Sequence, residues 1–265
     1  RYYRQKSNVG IVENWITALS LVRGEYFLML SDDDILMPNA VSSLLSSLEK
    51  SKIPHNEIAF VYGEVAINKI PPLMDSIATQ VPTLEHGLDF QYRSLIGERN
   101  CYPSATLINT YQARKNGGYK RKYSAGVDVG LIFEMTAGGK KVCHTNDVTT
   151  IYAMHSENFT NKTRATEMLE TIRELTHFSL SMDVFGAKAK KNDIVAARAG
   201  SSAYFVMNDY RLGFLGLGDS WFMLWKIRDQ FFGIHGFLPM LKACVKSIWY
   251  FKQNHILSSR RKEKR

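Results

Sequence analysis

Three consecutive aspartates, Asp32 to Asp34, follow a short uninterrupted apolar run at Tyr26–Leu30. Like charges at that spacing repel one another, and each carboxylate that loses water costs free energy unless it is paired or metal-bound. One aspartate would serve as the N-cap of the helix predicted to begin near Pro38, but three exceed that need. Hard oxygen ligands suit Mg²⁺ or Mn²⁺, which bridge protein carboxylates to substrate phosphates. The triplet therefore predicts a metal and diphosphate site.

The segments around the triplet alternate as in an α/β sheet. The Tyr26–Leu30 run predicts a strand that is buried on both faces of a parallel sheet, and Ile58–Ile67 predicts another strand. Helical spacing of apolar residues predicts one helix behind the Asn8 turn. The helix-start residues Pro38 and Asn39 predict another, which reaches about Lys50. Such sheets bind ligands at the carboxyl ends of their strands, where the aspartates lie.

The rest of the chain divides into two parts. After a predicted loop with a short helix at 70–100, further strand and helix patterns follow at 104–109, 127–137 and 142–154. Beyond Thr163 the apolar residues recur at helical spacing. We therefore predict a sheet domain over residues 1–163 and a mostly helical C-terminal region over 164–265.

An aromatic-rich stretch runs from Tyr210 to Phe251. Its longest uncharged run, Gln230–Leu241, has 12 residues and is too short to cross a bilayer. Three interpretations stay open for this stretch: an interfacial helix pair, packing against the first domain, and pairing with a second copy of the chain in a homo-oligomer.

The net charge of +9 is concentrated at the C-terminus. From Met240 onward there are eight basic residues and one acidic residue, Glu263, which leaves only +2 for the other 239 residues. Such a block is typical of a solvated helix end or of a patch that binds anionic lipid or nucleic acid. The body of the chain has no basic footprint of the kind that nucleic-acid binding requires, so we predict no nucleic-acid partner.

The cysteines and the first residues bear on the compartment. Cys101, Cys143 and Cys244 are odd in number and show no metal-type spacing, which indicates a reduced, cytosolic chain. No signal peptide is visible, and the chain opens on Arg1 rather than methionine. We therefore expect an N-terminally truncated fragment.

The span Ser7–Pro38 resembles the family 2 glycosyltransferases, which are inverting enzymes with the GT-A fold. It has their Asn-x-Gly turn, the Gly-Glu-Tyr that opens a strand, and an acidic triplet followed closely by proline. The resemblance continues to the sequence His155–Asn158 and covers about residues 1–160. It implies a GT-A sheet flanked by helices, with a nucleoside-diphosphate sugar as donor and a glycan or lipid-linked acceptor. The family's first βαβ portion does not precede Arg1, so nucleotide binding and activity are expected to be weak in this fragment.

The resemblance assigns the donor side of the site to two short segments. Asp32 would face the donor ribose, and Asp33 would ligate Mn²⁺ or Mg²⁺. Asp34 would assist at the metal and the donor as a neighbouring carboxylate, or would cap the helix that follows. Asn8 and Gly10 would lie near the nucleotide, although the same two residues also suit an ordinary turn.

On the acceptor side, Asp128 matches the family's general base. It would deprotonate the acceptor hydroxyl as that oxygen attacks the anomeric carbon. A helix N-terminus lowers the pKa of a carboxyl group, so desolvation would have to offset that effect. His155 would be a further metal ligand or would contact the diphosphate; the family's usual arginine two residues earlier is replaced by Ala153.

Two other interpretations compete with this one. A nucleotidyltransferase also uses clustered aspartates and a metal, but it would be expected to show a Gly-rich phosphate loop, which the sequence lacks. A non-catalytic carbohydrate-binding protein on a degenerate transferase fold would lack a base in the acidic cleft. We favour a cytoplasmic enzyme of cell-envelope polysaccharide synthesis that contacts the inner face of the plasma membrane through its basic tail.

Overall fold

A computed structural model describes residues 2–68, 81–155, 158, 163–182, 188–227 and 241. The basic tail and the prolines Pro71 and Pro72 of the predicted loop lie outside these residues. The chain forms two compact units, residues 1–162 and 163–265, which are described separately below.

The first unit is built on one mixed sheet. Five of its strands have the order β1-β5-β3-β6-β2. The sixth, β4, also pairs with β6 but lies outside this linear order. The strands are β1 (Tyr26–Phe27), β2 (Ile35–Leu36), β3 (Ile58–Ile67), β4 (Thr83–His86), β5 (Thr106–Asn109) and β6 (Lys141–Tyr152). The helices are α1 (Gly10–Leu21), α2 (Ala40–Lys50), α3 (Gly87–Leu95), α4 (Thr110–Lys115) and α5 (Val127–Thr136), with short 3-10 segments at 55–57, 103–105 and 121–126.

The centre of the sheet is the parallel pair β3 and β6. Residues 58–63 of β3 are buried throughout, because β3 has a neighbouring strand on each side and helices over its faces. Leu44 and Leu48 of α2 pack with Val61 of β3 and Leu107 of β5 in one apolar cluster. This cluster holds the helix that follows the acidic triplet against the sheet.

The strand predicted at residues 26–30 is wrong in length, direction and burial. Only Tyr26 and Phe27 pair with a strand, and they pair antiparallel with β5 at the end of the strand order. Leu30 is 46% exposed. The apolar run is not covered by helices because Met29 and Leu30 leave the sheet and line an open cleft.

The segment predicted as a loop with a short helix is more regular than expected in its described part. Residues 83–86 form β4, antiparallel to β6, and α3 follows directly. Phe90 of α3 is fully buried and packs edge-on against Phe60 of β3, with ring centroids 5.2 Å apart. This aromatic contact anchors a segment that proline content alone suggested would be irregular.

In the second unit the described elements are three helices: α6 (Ala165–Ser181), α7 (Lys188–Arg211) and α8 (Leu217–Ile227). Their core contains Ala165, Ala199 and Ala203, whose small side chains allow the helices to approach closely, together with Val206 and Leu224. The predicted α/β sheet flanked by helices is therefore confirmed, and the C-terminal extension is mostly helical over its described residues. Among the described residues, every helix falls short of the length and apolarity that crossing a membrane requires.

Candidate active site

A cleft of about 1260 Å³ opens on the sheet of the first unit. Of the residues predicted to form a site, six line this cleft: Asn8, Gly10, Asp32, Asp33, Asp128 and His155. Four separate parts of the chain supply them, namely the turn before α1, the acidic triplet, the start of α5 and the residues that follow β6. The cleft therefore brings together side chains that are up to 147 positions apart in the sequence.

Asp33 is held by two residues that follow β6. Its Oδ2 atom lies 3.2 Å from His155 Nε2 and accepts a hydrogen bond of 2.8 Å from the Asn158 amide. That amide also donates to the carbonyl of Ala153, at 2.9 Å, while its oxygen accepts the backbone N–H of His155 at 2.5 Å. Asn158 thus folds the chain back on itself and fixes the orientation of the carboxylate.

Asp34 is the predicted site residue that the cleft does not include. Its Oδ2 atom accepts a hydrogen bond of 2.5 Å from the hydroxyl of Ser104, and its Oδ1 atom accepts the backbone N–H of Ala153 at 3.2 Å. The Ser104 hydroxyl also accepts the backbone N–H of Ser31 at 3.1 Å. This geometry favours a positioning role, because Asp34 ties the acidic turn to the 3-10 segment before β5 and to the residue that follows β6.

The turn before α1 also lines the cleft. Asn8 Oδ1 accepts the backbone N–H of Gly10 at 2.9 Å. Gly10 has a φ of +76°, a left-handed value that strains residues with a Cβ atom. The turn therefore requires its glycine, and it leaves Asn8 and Gly10 beside the cleft. Asp32, which is exposed, lines the cleft from the acidic turn.

Asp128 lies in the first turn of α5 and is half-buried at the wall of the cleft. Desolvation raises the pKa of its carboxyl group to about 6, and this effect outweighs hydrogen bonds from the backbone N–H groups of Val129 and of Asp128 itself. A carboxylate with a pKa near neutrality suits a general base. Burial, and then the nearby charge of Asp128, raise the pKa of Cys101 to about 12 although its hydrogen bond with Thr106 lowers it, so this thiol in the same cleft stays protonated.

The start of α5 is fixed by Glu134, two turns along the same helix. The Glu134 carboxylate accepts a hydrogen bond of 2.7 Å from the Tyr123 hydroxyl and lies 3.1 Å from Lys122 Nζ; it also pairs with Lys120. Burial raises the pKa of Glu134, but these three donors together outweigh it and hold the pKa below its usual value. Lys122 and Tyr123 lie on the 3-10 segment that precedes α5, and Lys120 lies just before that segment. Their bonds to Glu134 therefore hold the backbone that leads to Asp128 against the helix.

The packing beneath this segment depends on Gly130. The fully buried ring of Tyr123 lies so close to α5 that a Cβ atom at position 130 would come within 2.1 Å of it. Ser124, the next residue, has a φ of +46°, which favours glycine and indicates local strain. The surrounding contacts hold this backbone in place immediately before the helix that carries Asp128.

The similarity to known proteins agrees with this site. The sequence model of Glycosyl transferase family 2 matches residues 1–86, which include Asn8, Gly10 and the acidic triplet. Residues 1–86 therefore belong to a family 2 glycosyltransferase domain. The predicted family is thereby confirmed, and the protein is a glycosyltransferase enzyme.

Two solved structures have the same fold as this glycosyltransferase. One is S. aureus TarS 1–349 in complex with UDP-GlcNAc, which is 11% identical, with a TM-score of 0.59 over 90% of this chain and 70% of that chain. The other is a crystal structure of S. aureus TarS 1–349, which is 12% identical, with a TM-score of 0.53 over 90% of this chain and 69% of that chain. The comparison with curated proteins gave no significant match.

The acidic turn of the glycosyltransferase fits a divalent cation that has few protein ligands. Within the described ranges, no three histidine, cysteine or acidic residues form a metal-binding group. Asp33 and His155 can offer two ligands from one point of the cleft. Mg²⁺ is commonly held by one or two carboxylates plus substrate phosphates and waters, so the arrangement suits a cation that arrives with a diphosphate.

Sequence reasoning missed several residues of the glycosyltransferase site. Asn158, which orients Asp33, was noted only as part of the family pattern, and Ser104 was assigned to a strand. Tyr102 and Tyr152 both line the cleft, with ring centroids 5.3 Å apart. Their positions, just before the 3-10 segment that leads into β5 and at the end of β6, were the available signal, since residues near strand ends border the ligand side of such sheets.

Proposed function

We propose that the protein transfers a sugar from a nucleoside-diphosphate sugar to a glycan or lipid-linked acceptor, with inversion at the anomeric carbon. The observation that carries this proposal is a half-buried carboxylate with a pKa of about 6, Asp128, in the same cleft as Asp33 and His155. The complex of TarS with UDP-GlcNAc, a protein of the same fold, supports a nucleotide sugar as the donor.

In the proposed reaction, the acceptor hydroxyl oxygen attacks the anomeric carbon from the face opposite the diphosphate. A new glycosidic C–O bond forms as the bond to the diphosphate breaks, and the hydroxyl proton moves to the Asp128 carboxylate. The nucleoside diphosphate leaves with the bonding electron pair. A single displacement of this kind inverts the configuration and needs no covalent intermediate on the enzyme.

The donor side of the proposed site is the acidic turn. Asp33 and His155 would hold Mn²⁺ or Mg²⁺, and a bound cation would neutralise negative charge on the departing diphosphate. Asp32 would contact the donor ribose, while Asn8 and Gly10 would lie along the nucleotide. Asp34 would act through its hydrogen bonds to Ser104 and Ala153, which keep the turn in position.

The test is the activity of the chain with UDP-GlcNAc as the first donor, measured as release of UDP with and without acceptor. Asp33→Ala and Asp128→Asn are each expected to lower transfer by about 10²–10⁴-fold. Asp219→Asn is the matched control, because Asp219 is an exposed aspartate in the first turn of α8. Unchanged activity in both site variants would overturn the mechanism.

The two competing interpretations predict different products. A nucleotidyltransferase would release pyrophosphate from a nucleoside triphosphate and would release no UDP from UDP-GlcNAc. A carbohydrate-binding protein would bind donor or glycan without turnover. The Asp128→Asn substitution would then change neither the binding nor the absence of turnover. Product identification by chromatography therefore separates all three functions in one experiment.

We also infer that the enzyme contacts an anionic membrane from the cytoplasmic side, which would suit a lipid-linked acceptor. The support is the concentration of basic residues at the C-terminus, eight against one acidic residue from Met240 onward. Basic clusters of this kind are attracted to anionic lipid headgroups.

A further inference from the structure

The helix α8 has one face in the core of the second unit and one face in water. Leu224 is 5% exposed and Ser220 is 2% exposed, and Leu224 packs with Ala199, Ala203 and Val206 of α7. The rest of α8 carries large apolar side chains that are exposed: Leu217 is 59% exposed, Trp221 63%, Phe222 64% and Trp225 57%. These four residues are named the aromatic face of α8.

The spacing of these residues makes the aromatic face continuous. Leu217, Trp221 and Trp225 follow one another at intervals of four residues, so they lie one turn apart on the same side of the helix. Phe214 in the preceding turn is 52% exposed and extends the apolar surface. A contiguous patch of exposed apolar side chains indicates a binding surface, whereas single exposed apolar residues need no explanation.

Charge indicates what that surface binds. Residues 163–265 contain 17 lysines and arginines against nine acidic residues, a net charge of +8, whereas residues 1–162 have 17 against 16. The Arg164 guanidinium stacks on the Phe214 ring at 3.2 Å, and Lys226 Nζ lies 5.9 Å from the centre of the Phe222 ring. Basic groups thus accompany both ends of the exposed apolar surface.

We propose that the aromatic face of α8 inserts into the headgroup region of an anionic lipid membrane. Tryptophan and phenylalanine on one side of a helix, with basic residues beside them, are the composition of helices that lie in the membrane interface. The proposed lipid-linked acceptor supplies a reason for this contact, but the lipid contact itself does not depend on catalysis. The proposal identifies the apolar surface that would complement the attraction of the basic tail.

The experiment measures binding of the full chain to vesicles. Vesicles of equal parts phosphatidylglycerol and phosphatidylcholine are compared with vesicles of phosphatidylcholine alone, by sedimentation at low and high salt. The test variant is Trp221→Gln combined with Trp225→Gln, which keeps helix-compatible side chains on α8. The matched control is Tyr111→Gln, which replaces an aromatic residue that is 68% exposed on α4 of the first unit.

We expect the chain to bind the anionic vesicles and the double variant to bind them about tenfold or more weakly, since two apolar side chains lose their burial in lipid. The control variant should bind as the wild type does, and added salt should weaken binding of both. Tryptophan fluorescence should shift to the blue on vesicle addition in the wild type and much less in the double variant. Circular dichroism establishes that each variant is folded.

Three outcomes would overturn the proposal: no binding to anionic vesicles, equal binding by the double variant and the wild type, or a change in oligomeric state as the only effect of the double substitution. The last outcome would assign the surface to a second copy of the chain. UDP release from UDP-GlcNAc without vesicles should be the same in the double variant and the wild type. A failure of the membrane proposal is therefore distinguishable from a failure of the proposed reaction.

Discussion

The first turn and the last turns of α5 carry two carboxylates that differ in their surroundings. Asp128 is desolvated and receives hydrogen bonds from two backbone N–H groups, and its pKa rises to about 6. Glu134 accepts hydrogen bonds from Tyr123 and two lysines, and its pKa falls below the usual value. Desolvation is the dominant effect at Asp128, whereas at Glu134 three side-chain donors together outweigh it. One helix thus holds a group that can exchange a proton and a group that stays charged.

The largest effect expected from the difference between Asp128 and Glu134 is on the pH dependence of sugar transfer. Asp128 acts as a base only when it is ionised, and its raised pKa means that the ionised form is lost as pH falls through about 6. The rate at saturating donor should be constant above pH 7 and should fall about tenfold per pH unit below 6. Initial rates between pH 4.5 and 8.5 test this, and an acid limb centred near pH 4 would contradict the assignment.

A smaller effect is expected on stability when Asp128 is replaced by Asn. Its pKa is higher in the folded chain than the ordinary value of 3.8, so the folded chain binds the proton more tightly. Wild-type stability should therefore fall as pH rises from about 4 to 6 and stay constant above. Above pH 6, Asp128→Asn should be more stable than the wild type by about 1–3 kcal/mol, while transfer is lost.

Urea unfolding at pH 5 and pH 8 measures this difference in the free energy of unfolding. The exposed Asp219→Asn variant is the control and should show no such gain. A loss of stability in Asp128→Asn at pH 8 would mean that the charge of the Asp128 carboxylate stabilises the fold, as the charge of Glu134 does.

The smallest expected effect comes from Glu134→Gln. The amide keeps an acceptor for Tyr123 but loses the charge that pairs with Lys120 and Lys122, which are 34% and 46% exposed in their side chains. We expect a loss of about 1 kcal/mol in stability at pH 7. The acid limb of the rate profile should also move to lower pH, since a looser start of α5 admits water to Asp128 and reduces its desolvation.

The control for this variant is Glu49→Gln, which changes an exposed glutamate near the end of α2. Melting temperature and the rate profile are measured for both variants. If Glu134→Gln matches Glu49→Gln in both measurements, Glu134 has no role in positioning Asp128.

The elements with strong periodicity were predictable from the sequence. The predicted bounds of β3 match the structure, and the helices at 10–21 and 127–136 lie where apolar spacing placed them. The helix at 40–50 lies where Pro38 and Asn39 predicted it. The run at 26–30 misled because apolar residues that line a cleft have the same composition as residues buried under helices. Local sequence does not distinguish the two, since the difference lies in what packs above the run.

The candidate site was predictable only where residue type is unusual. Three adjacent aspartates indicate a binding site. The direction in which each side chain points depends on the conformation of the turn, so the sequence could not show that Asp33 lines the cleft and Asp34 does not. Ser104 and Asn158 have ordinary residue types, and their contacts with the triplet join segments 70 and 125 positions apart. Such pairings follow from tertiary structure and leave no periodic signal in the chain.

The contact between Gly130 and the ring of Tyr123 has a consequence for how this sequence can diverge. A Cβ atom at position 130 would come within 2.1 Å of that ring, so neither position can change freely while the other stays as it is. Descendants or relatives that gain a side chain at position 130 should carry a smaller residue at position 123. The two positions should therefore covary, and a lineage could cross between the two solutions only through a compensating pair of substitutions.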